Sequence, residues 1–155
     1  MRLSAPPEAI YAVEQFHKGR AEHSSTEAEG FELGRDRARI LVVDDQKLIA
    51  DSLAEILRNE GFDAVAAYDG WQALKAVPGF RPNWLLSDVL MPRMNGVQLA
   101  ISIRKNFPKI GILLLSGQAG IAEILQEGLR HGYQFELIAK PIHPLHIVER
   151  LKRER

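Results

Sequence analysis

The sequence predicts a doubly wound α/β domain whose parallel sheet is covered on both faces, and three observations support this. From Arg39 onward, short apolar runs alternate with amphipathic stretches at helical spacing. The apolar runs, such as ILVV at Ile40–Val43 and IGILLL at Ile110–Leu115, lack the alternation of a half-exposed strand. That is the pattern of strands buried on both sides. Right-handed crossovers between such strands leave few topologies, of which the doubly wound one leads.

Each element has its own local reason. Ile40–Val43 is the first strand, rich in β-branched residues. Gln46–Glu60 carries Leu48, Ile49, Leu53, Ile56 and Leu57 on a helical face, with Gly61 where a C-terminal cap belongs. Ala64–Ala67 is the second strand, and Gly70–Val77 a helix closed by Pro78-Gly79. Trp84–Leu86 is the third strand. Val97–Asn106 is a helix that stops before Pro108, and Ile110–Leu115 is the fourth strand. Ile121–His131 is a helix followed by Gly132, Leu137–Ala139 the fifth strand and Pro144–Lys152 the last helix.

Composition bounds the function. The chain of 155 residues has twenty basic and twenty acidic side chains, so no global field draws it to nucleic acid or an anionic membrane. With no cysteine, thiolate metal sites and cysteine nucleophiles are excluded. No apolar run nears the roughly 18 residues of a membrane span, and the N-terminus lacks a secretory pattern. A cytoplasmic location follows as the expectation. Residues 1–38 read as an N-terminal extension, polar and charged from His17 to Arg37. It is either flexible or, through Ile10, Val13 and Phe16 of PPEAIYAVEQF, a short helix docking on the domain or on a second copy. Residues 39–155 form the domain.

In a doubly wound sheet, ligands bind beyond the carboxyl ends of the strands. The first strand ends in Asp44-Asp45, the third in Ser87-Asp88, the fourth in Ser116-Gly117 and the fifth in Lys140-Pro141. Tyr68-Asp69, at the end of the second, is assigned to loop chemistry. Taken singly, each aspartate or serine is as readily a helix cap. Together they bring three carboxylates, a hydroxyl and an ammonium to one edge. One Lys does not offset three such charges, whereas a divalent cation does, and all-oxygen donors favour Mg²⁺ or Mn²⁺ over zinc. Asp45 is then the direct ligand and Asp44 a neighbour acting partly through water. Lys140 and Ser116 facing that cation describe a pocket for a tetrahedral anion, the equipment of phosphoryl transfer. No GxxxxGK[ST] loop is present, so the candidate acceptor is a carboxylate, and Asp88 on the central strand is the best placed.

ILVVDDQ, LLSDVLMPRMNG, LLLSG and IAKPI, in that order, resemble the receiver domain of two-component response regulators, over about residues 38 to 155. The resemblance implies a flavodoxin-like, CheY-like five-stranded sheet in the order 2-1-3-4-5. It makes Asp88 the phospho-acceptor. Asp44 and Asp45 become the acidic pair that holds Mg²⁺ with Asp88, and the backbone carbonyl of Leu90 completes the protein ligands. Ser116 becomes the hydroxyl that shifts toward the phosphoryl group and Lys140 the ammonium that bridges to it, with Pro141 after a bond that the family commonly makes cis. Gly96 matches the residue that permits the tight turn before the third helix.

Two departures stand out. The family's aromatic switch position, three before the Lys, is Leu137, with Phe135 two residues earlier on the same side by strand alternation. Leu90 and Gln118 occupy the positions that tune attack by water, and an apolar Leu90 implies a long-lived phosphoryl group.

After Pro141 fourteen residues remain, so the resemblance implies a stand-alone receiver that is not an enzyme acting on an external substrate. Its partners would be a sensor histidine kinase or a histidine phosphotransfer protein. Output would pass through region 116–137 to a downstream protein, or to a self-dimer via the face between the fourth and fifth helices, with no nucleic acid or membrane involved. His131, His143 and His146 are set aside as phosphohistidine or metal sites, because two of them flank Pro144 at a helix start. Two alternatives remain: a pseudo-receiver used only as an interaction module, and a phosphatase on the same fold. A haloacid-dehalogenase-like phosphatase wants a second carboxylate two residues after its nucleophile, and Leu90 follows Asp88 there.

Overall fold

The computed structural model describes residues 37–117 and 121–153. The expectations for the N-terminal extension and for Gln118 therefore lie outside the described residues. The chain alternates strand and helix throughout. The strands are β1 (Arg39–Val43), β2 (Asp63–Ala67), β3 (Trp84–Asp88), β4 (Gly111–Ser116) and β5 (Glu136–Ala139). The helices are α1 (Lys47–Asn59), α2 (Gly70–Phe80), α3 (Gly96–Asn106), α4 (Ala122–Arg130) and α5 (Pro144–Lys152). All strands pair in parallel in the order β2-β1-β3-β4-β5, the doubly wound arrangement expected.

Strand alternation sorts the core into two layers. Leu41 and Val43 of β1, with Leu85 and Leu114, face Ala73, Val77 and Phe80 of α2 and Val97, Leu99 and Ile103 of α3. Ile40 and Val42, with Leu86 and Leu113, face Ala50, Leu53 and Leu57 of α1 and Ile147, Val148 and Leu151 of α5. Because every strand runs the same way, all five carboxyl ends meet at one edge.

One expectation is corrected. The second helix does not close at Pro78-Gly79 but runs through them to Phe80, ending at Arg81 in a left-handed conformation with φ 55°. Pro78 removes one backbone donor near the end of the helix. Val77 and Phe80, each 1% exposed, anchor that last turn in the core, and this burial outweighs the missing bond. The sheet is covered on both faces as expected, and the cover thins toward the β5 edge. Only Ile138 of β5 packs into a core layer, and α4 buries only Gly128 while Ile124 and Leu125 pack partly.

The rim of β5 is tied instead by polar contacts. Arg150 of α5 donates to both carboxylate oxygens of Glu136, at 2.5 and 2.6 Å, and its guanidinium lies 5.1 Å from the centre of the Trp84 ring. The hydrogen bond from Arg150 holds the Glu136 carboxyl below its ordinary range. At the ends of α1 and α4, Gly61 and Gly132 take positive φ, as helix-stop glycines do.

Candidate functional site

The chain direction at the end of β1 explains how two adjacent aspartates reach one place. Asp44 extends the ladder by one more bond, its N–H donating to the Ala67 carbonyl at 3.2 Å. Its Oδ1 then accepts the N–H of Gln46 at 2.9 Å, which turns the chain into α1. Asp44 is left 3% exposed, and Asp45 projects into solvent. Asp88 closes β3 next to them. One carboxylate oxygen from each of Asp44, Asp45 and Asp88 can be chosen so that all three lie within 4.8 Å of one another.

Lys140 reaches this cluster from the end of β5. Its Nζ is 3.3 Å from Asp88 Oδ1 and 3.6 Å from Asp44 Oδ2. Its N–H donates to the Ser116 carbonyl at 2.7 Å, and Lys140-Pro141 is a cis bond. Its aliphatic stem crosses Gly117, where an added Cβ would sit 2.9 Å from Lys140 Cβ. Nothing local in the sequence flags that role for Gly117. Ser116 is buried at the end of β4, paired in register with Ala139.

The charges do not balance. Two carboxylate charges at this separation repel by about 3 kcal/mol at an effective dielectric of 20. Asp88 registers the imbalance: burial is the main cause that pushes its carboxyl above the ordinary value, and Asp44 and then Asp45 add to it. Lys140 pulls the other way without reversing the shift. The donor set fits a hard divalent cation, being three carboxylates without sulfur or imidazole. Among the described residues, it is the one group of three or more His, Cys, Asp or Glu side chains arranged to hold a metal.

β3 leads into a loop whose base is closed. Val89 N–H donates to the Leu115 carbonyl at 2.9 Å, and Gly96 N–H donates to the Val89 carbonyl at 2.8 Å. Asn95 and Gln98 then cap α3 reciprocally. Gly96 is needed here for a different reason from the one expected. Its φ is not positive, and the left-handed residue of the loop is Arg93, at φ 70°. Gly96 instead lies against the main chain of Asp88, where an added Cβ would sit 2.2 Å from the Asp88 carbonyl oxygen. Leu90, two residues past Asp88, is 37% exposed.

The two residues proposed for an aromatic switch separate. Leu137 is 39% exposed. Phe135 is partly buried against the layer of α2 and α3, stacked on Tyr133 at 6.1 Å and 3°, with the Arg104 guanidinium 5.1 Å from its ring centre. Neither Tyr133 nor Arg104 is singled out by the sequence. Of the histidines set aside, His143 has a structural task, its Nδ1 accepting the N–H of Leu145 at the start of α5.

Comparison with known proteins identifies the family. Residues 40–152 match the family model described as "Response regulator receiver domain". The DNA-binding response regulator MtrA of Mycobacterium tuberculosis is 37% identical over 116 residues, which is 75% of this chain and 50% of that protein. The chain thus spans about half the length of the curated relatives it matches. A CheY-like receiver domain protein from Methanospirillum hungatei superposes with TM-score 0.67 at 30% identity, covering 76% of this chain and 92% of that one. The chemotaxis protein CheY4 of Vibrio cholerae does so with TM-score 0.66 at 28% identity, covering 76% and 98%. Among the described residues, no helix is long and apolar enough to cross a membrane. With its ordered strand-end residues gathered at one edge, the chain belongs to the response regulator receiver domain family of two-component signal transduction.

Proposed function

We propose that the chain accepts a phosphoryl group on Asp88 from a sensor histidine kinase or a histidine phosphotransfer protein, and passes the signal on by protein contact. The observation that carries this reading is Lys140 Nζ at 3.3 Å from Asp88 Oδ1 within a cluster of three carboxylates. An Asp88 carboxylate oxygen attacks phosphorus, the O–P bond forming as the N–P bond of phosphohistidine breaks. The imidazole nitrogen leaves with the electron pair. Lys140 neutralises a phosphoryl oxygen, and the Ser116 hydroxyl donates to another. Asp44, Asp45, Asp88 and the Leu90 carbonyl would hold Mg²⁺, with Mn²⁺ as substitute, and the bound ion supplies positive charge to the phosphoryl oxygens. Output runs through the region 116–137 to a protein partner or a second copy. The mycobacterial relatives bind DNA by name, but the balanced charge of this chain supports a protein partner for these residues.

Incubation with acetyl phosphate and Mg²⁺, read by intact mass, tests the proposal. One added phosphoryl group is expected. No adduct would favour an interaction module, and donor turnover far beyond one equivalent would favour a hydrolase.

Two variants probe the surroundings. Asp45→Asn removes an exposed carboxylate and one repelling charge. Mg²⁺ affinity should fall by at least about tenfold while the thermal midpoint of the metal-free protein rises. Titration calorimetry paired with thermal melts decides, and an unchanged affinity would remove Asp45 from the ligand set. Leu90→Asn gives an exposed position a group that orients water. The phosphorylated protein should lose its phosphoryl group severalfold faster than wild type. Equal decay rates would show that Leu90 does not govern the lifetime.

A further inference from the structure

Asp69, beyond the end of β2, has no role in the chemistry above, yet it holds two partners. Its Oδ1 accepts the N–H of Gln72 at 2.8 Å and caps α2. Its Oδ2 lies 3.4 Å from Nη2 of Arg93, at the apex of the loop that follows the acceptor. Arg93 is the residue held at φ 70°, a conformation that a side-chain-bearing residue adopts only against steric resistance.

The base of this loop is closed by main-chain bonds, and at its apex Met94 N–H donates to the Pro92 carbonyl at 2.8 Å across Arg93, so the side chains there set how the apex sits on the rest of the fold. Met91 is buried in the core. Met94 packs on Gly70, where an added Cβ would meet its Sδ at 2.3 Å, and Arg93 reaches Asp69. These last two ties both go to the start of α2. The same corner is joined on its other side to the acid pair, since Ala67, two residues before Asp69, accepts the N–H of Asp44. Asp69 therefore stands between the backbone that carries Asp44 and Asp45 and the loop that carries the Leu90 carbonyl.

We propose that Asp69 is a positioning residue for the phosphoryl and metal site. The Met94–Pro92 bond closes the turn at Arg93, and the ion pair with Asp69 anchors that turn to the start of α2, keeping the Leu90 carbonyl in register with the acidic cluster. The inference rests on the roles assigned above to Asp88 and Leu90. The Arg93 side chain is 70% exposed, so water screens the pair and its effect is graded.

Asp69→Asn separates the two roles, because Asn caps a helix as well as Asp does and loses only the charge. The thermal midpoint should stay at the wild-type value. Mn²⁺ affinity, read by intrinsic fluorescence, and the rate of phosphorylation by acetyl phosphate should each fall by about twofold to fivefold. Arg93→Gly, which removes the tether, should show the same losses, and Arg93→Lys, which keeps the charge, should restore most of them. Wild-type affinity and rate in Asp69→Asn would overturn the proposal, as would losses that track a fall in the thermal midpoint. If the wild type binds Mn²⁺ yet takes up no phosphoryl group, the receiver reading fails on its own, and the metal titrations still decide the role of Asp69.

Discussion

Replacing Asp88 with asparagine is expected to abolish phosphoryl uptake from acetyl phosphate and to raise the stability of the metal-free protein. The amide has the shape of the carboxylate but no anionic oxygen to attack phosphorus, so no adduct should appear by intact mass at any Mg²⁺ concentration. The gain in stability follows from the site's excess charge. Removing one of three mutually repelling carboxylates relieves on the order of 1 kcal/mol, after the loss of the Lys140 contact is set against it.

The pH dependence carries a sign that can be checked. Burial raises the Asp88 carboxyl above its ordinary 3.8 in the folded state. Between the two values the folded chain holds a proton that the unfolded chain has released. Stability contributed by Asp88 is thus present below 3.8 and lost as pH rises through its folded value. Thermal melts across the acid range should show that decline in the wild type and lack that part of it in Asp88→Asn. An adduct on Asp88→Asn equal to that on wild type would place the acceptor elsewhere.

Gly96→Ala should be the most damaging single methyl in the loop after β3. The added Cβ would lie 2.2 Å from the Asp88 carbonyl oxygen, 2.9 Å from Val89 Cα and 3.0 Å from Asp88 C. All three atoms belong to the main chain, so no side chain can swing aside. Overpacking of this kind costs about 2–3 kcal/mol. Either α3 or the end of β3 must shift, and a displacement near 1 Å of a reacting group can cost about a hundredfold in rate. The expected result is a clearly lowered thermal midpoint and phosphorylation slowed by at least about tenfold. Gly79→Ala is the matched control: it is helical, with nothing within 4 Å of its added Cβ. It should stabilise by about 0.5–1 kcal/mol. A Gly96→Ala protein that melts and reacts like wild type would show that the loop yields freely.

What the sequence reveals differs between strands and contacts. β1 and β4 are legible because a strand buried on both faces must be apolar at every position, and ILVV and ILLL are. The gathering of Asp44, Asp45, Asp88, Ser116 and Lys140 follows from parallel topology alone, since strands that all run one way deliver their ends to one edge. Local signals mislead where tertiary contacts override them. Pro78-Gly79 reads as a stop, but burial of Phe80 decides the matter from three-dimensional packing. LIA in β5 reads as a covered strand, yet only Ile138 packs into the core. The tasks of Gly96 and Gly117 are contacts with residues distant in sequence or in their own main chain, for which no pattern of spacing exists. Asp69 reads as a cap, which it is, and its second partner is visible only once the loop after β3 has folded back.

The uneven cover of the sheet has a consequence for local opening. Amides of β1, β3 and β4 lie between two packed layers, so their exchange with solvent deuterium requires unfolding of the whole domain. Those of α4 and β5 are held by an edge pairing, Gly128 against Val97 and the Glu136–Arg150 pair, and should exchange through smaller excursions. Deuterium exchange resolved by residue should then show the α4–β5 limb exchanging before β1 and β3, and equal rates across the sheet would show that the limb opens only with the whole domain.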